Sequence, residues 1–330
     1  MSYEELHGTM QDVLLRHGME PERADHCAQL FADANRDGFA SHGLNRFARF
    51  VTMIESGMVD VHARAERVGA RGAMERWDGN RGPGNLNAHA CMERAIEIAR
   101  EHGLGAVALA NTNHWMRGGN YGWQAAEAGM IGICWSNTLP NVPAWGATVP
   151  LIGNNPLIIA VPRAAGHVVL DIAMSQFSYG ALAVHRMRGD PLPVDGGYDE
   201  AGQLTRDPAA IERTQRLLPI GFWKGSGLAL LLDMVGAMLS GGKATHDFSR
   251  VAEEESGQSQ LFLALDAASM GAPGEGNAIA DRIIDALHDG AADVGERVRY
   301  PGERTLEMRR ESLAHGVPVD DAIWTEVRSL

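Results

Sequence analysis

Four short apolar runs follow one another in the middle of the chain: GAVALAN at 105–111, GMIGICWSN at 129–137, NPLIIAVP at 155–162 and HVVLDIA at 167–173. Each is bounded by Gly, Asn or Pro, so each reads as a buried strand. A helix-like stretch, GGNYGWQAAEAG, lies between the first two. Residues 105–175 are therefore expected to form an α/β core.

Around that core, apolar residues at helical spacing mark 3–19 and 21–36, with Leu14, Leu15, Cys27, Leu30 and Phe31 set against polar Asp12, Arg16, Glu20 and Arg23. A third helix is expected to start on Ser41 as its N-cap and to stop at Gly57. Residues 66–78 alternate enough for one or two strands, and 87–102 return to a helical pattern closed by Gly103. Arg188 to Leu218, rich in Gly, Pro and Asp, reads as a long excursion or hairpin. Further on come an apolar buried helix at 225–242, a strand at 260–270 and helices at 275–290 and 318–330. No repeat or linker interrupts the 330 residues, so one compact unit is expected.

Charge and composition narrow the function classes. With 42 acids against 29 bases the formal net charge is −13, a field that repels phosphate backbones and anionic membranes. Neither nucleic acid nor membrane is expected as a partner. No apolar stretch approaches the ~20 residues of a membrane span, and the N-terminus lacks the basic region and apolar run of a signal peptide. Cys27, Cys91 and Cys134 form no CxxC pair, and the 13 histidines show no metal-ligand spacing. A cytoplasmic protein without a structural metal is the expectation. P-loop, HExxH and GxSxG motifs are missing, and no GxGxxG follows a strand. RGPGNLN at 81–87 comes nearest, but Asn87 stands where the last Gly belongs.

An anionic substrate would need positive charge supplied locally, and two segments offer it. In Ser41-His42-Gly43-Leu44-Asn45-Arg46, a helical advance puts Arg46 and Arg49 within roughly 40° of His42, with Leu44, Phe47, Val51 and Ile54 opposite. A histidine in the first turn faces the positive end of the helix dipole and is favoured neutral. Such a face is either a solvated surface or a proton-transfer histidine beside a carboxylate-binding arginine. The second reading suits an α-keto or α-hydroxy acid. Asn111 to Gly119, NTNHWMRGG, brings His114 and Arg117 to the end of a strand, where α/β sheets place ligands. It is otherwise a capped turn with a structural histidine. Asn154, in the turn GNNP, either satisfies the local backbone or reaches a substrate. Lys224 opens a Gly-rich helix start, FWKGSG, of the kind that attracts phosphate. Only Lys224 and Lys243 are lysines, so retention at 224 hints at a role that arginine does not fill. Asp171, breaking an apolar strand, is either a hydrogen-bonded core acid or a ribose contact. The tryptophans between Trp115 and Trp145 read as core before cofactor stacking, and the acidic 253–255 carries no usable motif.

SHGLNRF, NHWMRGGNYGWQAAEAG, IGICWSN, GNNPLIIAVP, DIAMSQFSYG, LPVDGGYDEAG, FWKGSGLALLLDM and YPGER occur in that order over essentially the whole chain. Together they resemble the malate/L-lactate dehydrogenase family that lacks the Rossmann fold. The resemblance implies an α/β fold with a mixed, largely antiparallel sheet flanked by helices, and a homodimer holding NADH, with NADPH possible, near the subunit interface. It thereby accounts for the missing GxGxxG. It implies a mainly helical substrate and dimer part at 1–104 and 291–330, and a cofactor part at 105–290. His42 matches the family's proton donor, Arg46 the arginine beside it, and His114 an active-site lining position. His167, Val168, Val169, Leu170, Asp171, Ile172 and Ala173 match one cofactor segment; Trp223 and Lys224, and Gly302, Glu303 and Arg304, match two more. Arg46, Arg49, Arg117 and Asn154 are the expected substrate contacts. The implied reaction is reduction of a 2-keto sugar acid at C2. Other family reactions remain open, on malate, lactate, sulfolactate, ureidoglycolate or a piperideine or pyrroline carboxylate, as does a silent sugar-acid binder.

Overall fold

In the computed structural model, residues 1–249, 255–271, 274–290 and 298–330 are described; Glu253 and Glu254 of the acidic triplet lie outside them. Three helices come first: α1 (Tyr3–Arg16), α2 (Pro21–Arg36) and α3 (Leu44–Glu55). Two strands, β1 (Glu66–Arg71) and β2 (Met74–Asp78), lead to α4 (Gly84–His102) and β3 (Leu104–Asn113). Then follow α5 (Gly119–Glu127), β4 (Ile131–Ser136), the ribbon β5 (Val142–Pro143) and β6 (Pro150–Ile152), β7 (Leu157–Val161) and β8 (Val168–Ile172). Helix α6 (Tyr179–Arg188) leads into the expected excursion, which holds the ribbon β9 (Gly197–Tyr198) and β10 (Leu204–Thr205), and α7 (Pro208–Thr214). The chain closes with α8 (Trp223–Ser240), β11 (Ser256–Leu265), α9 (Glu275–Asp289), α10 (Glu303–His315) and α11 (Asp321–Ser329).

Seven strands form one sheet in the order β1-β2-β3-β11-β4-β7-β8. Only the β2–β3 pair is parallel among its neighbours. This is the mixed, largely antiparallel sheet of the expectation. The late strand β11 sits at its centre because Gln260 to Leu265 pair with β3 on one side and β4 on the other. Helices α4 and α5 cover one face through Met92, Ile96, Tyr121, Cys134, Ile158 and Phe262. Helix α8 covers the other through Leu232, Ala229, Trp135 and Leu261. A separate cluster joins α1, α2, α3 and α11, with the rings of Phe31, Phe47 and Phe50 buried at its centre. Burial of each such ring contributes about 1.5–3 kcal/mol.

Two expectations need correction. Helix α3 does not begin on Ser41: residues 40–42 form a single tight turn, and the helix starts at Leu44. Its cap comes from α2 instead, where the Asn35 amide oxygen accepts the Leu44 N–H. A side chain at Gly43 would collide with that same oxygen. His42 therefore stands before the helix, outside the wheel drawn through Arg46 and Arg49. The second correction concerns α8, which is not wholly buried. It is apolar all round, so one face packs on the sheet while Leu228, Leu231, Val235 and Met238 remain exposed. Helices α6, α7 and α10 were not foreseen. Those buried on α10 are Glu303, Thr305 and Ser312, so that helix has no apolar stripe to read.

Candidate active site

His42 ends the tight turn after α2, and His114 directly follows β3. The fold lays their rings against each other, with centroids 5.9 Å apart and planes 21° from parallel. Met116, which stands at φ 62°, donates its backbone N–H to His114 Nδ1 at 2.9 Å. A backbone N–H is only a donor, so the neutral His114 ring carries its proton on Nε2. The Ser41 hydroxyl lies 3.1 Å from His42 Nδ1 and orients that ring.

The positive charge comes from α3. Arg46 Nη2 donates to Glu255 Oε2 at 2.8 Å, and Arg49 Nη2 reaches the same oxygen at 3.4 Å. The other carboxylate oxygen, Oε1, accepts from Gln258 Nε2 at 3.1 Å. Burial pushes His42 below the ordinary imidazole range; Arg46 and Arg117 push the same way, and Asp171 opposes them. Burial also drives His114 far down, helped by Arg46, His42 and Arg49. Arg46 itself is eased down by burial, with Glu255 pulling back. Two neutral imidazoles thus stand beside two partly exposed guanidinium groups.

Arg117 takes a different position. Its Nη1 donates to Asp37 Oδ2 at 2.6 Å, and its guanidinium lies over the Phe39 ring, 4.2 Å from the centroid. Asp37 also accepts from Arg309 twice and from Arg36, at 2.8–2.9 Å. Burial resists ionisation of Asp37, but the bond from Arg309 and the charges around it hold the carboxyl far below its usual range. Arg117 Nε is buried without a hydrogen-bond partner among the described residues.

A cleft of about 310 Å³ opens beside this cluster, between β8 and the start of α10. It is lined by Phe39, Arg117, Trp123, Val169, Leu170, Asp171, Arg299, Tyr300, Pro301, Gly302 and Thr305. The Val169 N–H bonds to Pro301 O at 2.9 Å, so 300–302 covers the open edge of β8. Gly302, at φ 95°, makes this close approach possible: a Cβ there would stand 3.0 Å from Val169 N. Asp171 accepts the Gly119 N–H at 2.8 Å, at the start of α5.

The remaining expected residues are placed as follows. His167 sits in the turn before β8, its Nδ1 accepting the Arg163 N–H at 3.1 Å. Val168 and Ile172 are half-buried in β8, and Ala173 follows it. Beyond Ala173, Met174 and Gln176 bond to Ile220 and Leu218, which carries the end of β8 to the start of α8. Trp223 and Lys224 are exposed there. Glu303 is buried, with Oε2 3.3 Å from the Tyr300 N–H, while Arg304 is exposed. Asn154 accepts from Thr138 and Asn141, at 2.9 and 3.1 Å, and so ties two loops together. Trp115, Trp123 and Trp135 are buried, and Trp145 stacks near Phe222 on the surface.

Sequence reasoning missed Asp37, Glu255, Gln258 and Arg299. Asp37 reads as a helix stop before Gly38. Glu255 hid in an acidic triplet, yet the polar Gln258 and Gln260 inside an otherwise apolar strand were a usable signal.

The chain matches the malate/L-lactate dehydrogenase family model over residues 1–328. It is 44% identical over 331 residues to the 2,3-diketo-L-gulonate reductase of Citrobacter koseri, covering 100% of this chain and 99% of the relative. Among solved structures it is similar to sulfolactate dehydrogenase from Methanocaldococcus jannaschii, with a TM-score of 0.92 at 28% identity, over 99% of this chain and 95% of that one. It is also similar to delta1-piperideine-2-carboxylate reductase from Pseudomonas syringae, with a TM-score of 0.89 at 28% identity, over 100% and 98%.

Proposed function

The chain belongs to the malate/L-lactate dehydrogenase family, and from that premise we propose that it is an NADH-dependent reductase of a 2-keto sugar acid, 2,3-diketo-L-gulonate. The observation that carries this reading is the His42–His114 ring pair set beside Arg46 and Arg49. The choice of sugar acid follows the full-length relative at 44% identity.

The residues around the cleft fit a nicotinamide dinucleotide. The cleft is large enough for a nucleoside-sized part of it. Arg299 and the unpartnered Nε of Arg117 offer donors to phosphate or ribose, and Trp123 and Tyr300 offer flat faces. In this reading Val168 to Ala173, Gly302 and Arg304 hold the cofactor from one side and Trp223 and Lys224 from the other. His167 and Glu303 act through the turns they brace. The bound cofactor supplies the hydride that reduces the C2 keto carbon.

The chain supplies the rest. Arg46 and Arg49 grip the substrate carboxylate. His42 gives the proton that the new hydroxyl needs, and His114, with its proton on Nε2, stacks behind it and orients the substrate. Burial is the main cause that keeps His42 neutral, and Arg46 adds to it. A carboxylate arriving at Arg46 offsets the arginine's part, so substrate binding raises that ring's affinity for a proton. Arg117, fixed by Asp37, and Asn154 shape the surrounding wall.

The reading is tested by giving the purified protein NADH or NADPH with 2,3-diketo-L-gulonate, pyruvate, oxaloacetate or a cyclic imine carboxylate, and following cofactor absorbance. Fastest NADH oxidation with 2,3-diketo-L-gulonate supports it. A faster imine or other keto acid keeps the family chemistry and removes this substrate. In the same assay Lys224→Ala raises the cofactor KM, and an unchanged KM takes Lys224 out of the site.

The exposed stripe on α8 supports a homodimer. Leu228, Leu231, Val235 and Met238 recur at three- and four-residue intervals and are 39%, 58%, 38% and 75% exposed. Light scattering is expected to give twice the chain mass, falling to one chain mass in Leu231→Glu. No helix among the described residues is long and apolar enough to cross a membrane, consistent with a cytoplasmic location.

A further inference from the structure

Away from the active site, a second pair of imidazoles joins α2 to α4. On α4, Asn85 and His89 stand one helical turn apart and so share a face. Asn85 Nδ2 lies 3.2 Å from Cys27 Sγ and 3.4 Å from the Cys27 carbonyl oxygen on α2. The His89 ring meets that of His26, the residue before Cys27, edge to face, with centroids 4.3 Å apart and planes 88° from parallel. Both residues are half-buried, and neither ring has a hydrogen-bond partner among the described residues. They line a pocket of about 160 Å³, through which water reaches them in the folded chain.

The surrounding charges do not hold a proton on the pair. Glu22, Asp25 and Asp33 of α2 favour a charged His26, but burial outweighs them. Asp33 already accepts from Tyr3 and Arg36, and Asp25 lies 3.3 Å from His7 of α1. Glu93 of α4 accepts from Gln124 of α5, and Glu127 of α5 lies 3.8 Å from Arg309 Nη1. Arg36 and Arg309 line the same pocket and are bonded to Asp37. Burial pushes His89 down to about 4, and His26 pushes the same way.

We propose that the His26–His89 pair is an acid-sensitive latch between α2 and α4: the neutral rings hold the helices together, and protonation parts them. The first proton goes to His26, which has the carboxylates of α2 nearby. A second would put two imidazolium rings side by side with no carboxylate bonded to either, and like charges so close repel. Parting the helices relieves that repulsion. It also loosens the end of α2, where Asn35 caps α3 and Asp37 fixes Arg117 and Arg309. Acid therefore reaches the turn that carries His42 through α2. The sign follows from the free values. An imidazole released from the junction takes its proton near 6.5, above its value in the closed junction. The latch is closed at neutral pH and is lost as pH falls below 6.5 toward 4.

Cys27, fully buried on the same interface, reports the opening. Its labelling by a dipyridyl disulfide, which reacts with thiols in acid, is followed on the full chain at pH 7 and pH 5. Each rate is taken relative to the chain unfolded in urea at the same pH, and mass spectrometry identifies the labelled cysteine. With His89 at about 4 when closed and near 6.5 when released, the relative rate should rise about 20-fold from pH 7 to pH 5. His89→Gln, neutral at both pH values, is expected to abolish most of that rise. His26→Gln, which removes only the neighbouring charge, is expected to keep part of it. A His89 variant that labels fast at both pH values has lost its packing, and the His26 variant then carries the test. A rise of equal size in the unaltered chain and both variants overturns the proposal, as does no rise in the unaltered chain. The His89 ring, followed by NMR in the unaltered chain, should stay neutral down to about pH 5; titration near 6.5 overturns the proposal as well. None of these readouts uses turnover, so the outcome stands apart from the reductase reading.

Discussion

Two arginine–carboxylate clusters lie close together in this molecule, and they behave differently. Around Asp37, three arginines converge on one acid: Arg36, Arg117 and Arg309. The acid and Arg117 are 1% and 3% exposed, and both carboxylate oxygens are used at least twice. Around Glu255, the side chains of Arg46 and Arg49 are 23% and 28% exposed. The first cluster spans α2, the loop before α5, and α10, so it fastens distant parts of the chain. Among the described residues the second joins α3 to Glu255, just before β11, and it stands beside two imidazoles. The difference lies in the acid's setting: Asp37 is sealed among three arginines that are 3% to 21% exposed, whereas Arg46 and Arg49, more exposed, stand beside the ring pair.

Breaking each cluster separately sharpens that contrast. The largest effect is expected at the open one. His42→Gln removes the proton donor and should lower kcat by about 10²–10⁴-fold, with melting temperature and NADH affinity nearly unchanged. Equal loss of kcat and melting temperature would make His42 a structural residue. Next comes the closed cluster. Asp37→Ala strands three guanidinium groups, and removing one partner of a buried pair costs about 3–5 kcal/mol. Denaturant unfolding should show that loss directly. A loss below about 1 kcal/mol would mean that water or another acid reaches the arginines, and the cluster is not closed after all.

The same contrast explains what the chain's sequence discloses and what it withholds. The strands around 105–173 were legible because each is a short apolar run ended by Gly, Asn or Pro. The candidate residues His42, Arg46 and His114 were legible because they recur in motifs. The route by which they meet was not. His42 was drawn on a helical wheel with Arg46, whereas it stands in the turn before α3 because Asn35, nine residues upstream of Leu44, caps that helix. The partner of Arg46 lies 209 residues away. No local pattern marks a pairing made by a strand that enters the middle of a sheet late in the chain. Helix α10 escaped for a plainer reason: it buries Glu303, Thr305 and Ser312, and periodicity is read from apolar residues. Arg117 looked like a free cation beside Gly118 and Gly119, and only the packing of α2 against α5 and α10 shows it committed to Asp37.

The smallest expected effect concerns proton affinity, and it separates the clusters most finely. In the free protein, burial and the positive charges of Arg46 and Arg117 hold His42 below the usual imidazole range near 6.5. The sign follows from which form is disfavoured: a cation beside a cation is penalised, so the ring takes its proton only at lower pH. A bound substrate carboxylate offsets that charge, so the ring in the complex takes its proton at higher pH. The pH profile of kcat/KM reports the free protein and that of kcat the complex. Reduction should therefore weaken with rising pH in both, with the fall in kcat/KM set at lower pH than the fall in kcat. Arg46→Gln should move the kcat/KM fall upward, toward 6.5. Arg309→Gln, a change that touches Asp37 and the Trp123 ring but neither imidazole of the His42–His114 pair, should leave both profiles nearly in place while lowering stability. Arg117 already carries some of the Asp37 cluster's field to His42. Profiles that move as far in Arg309→Gln as in Arg46→Gln would show that this cluster acts on the ring as strongly as the other, and the division between an arginine set that fastens and one that recognises would not hold.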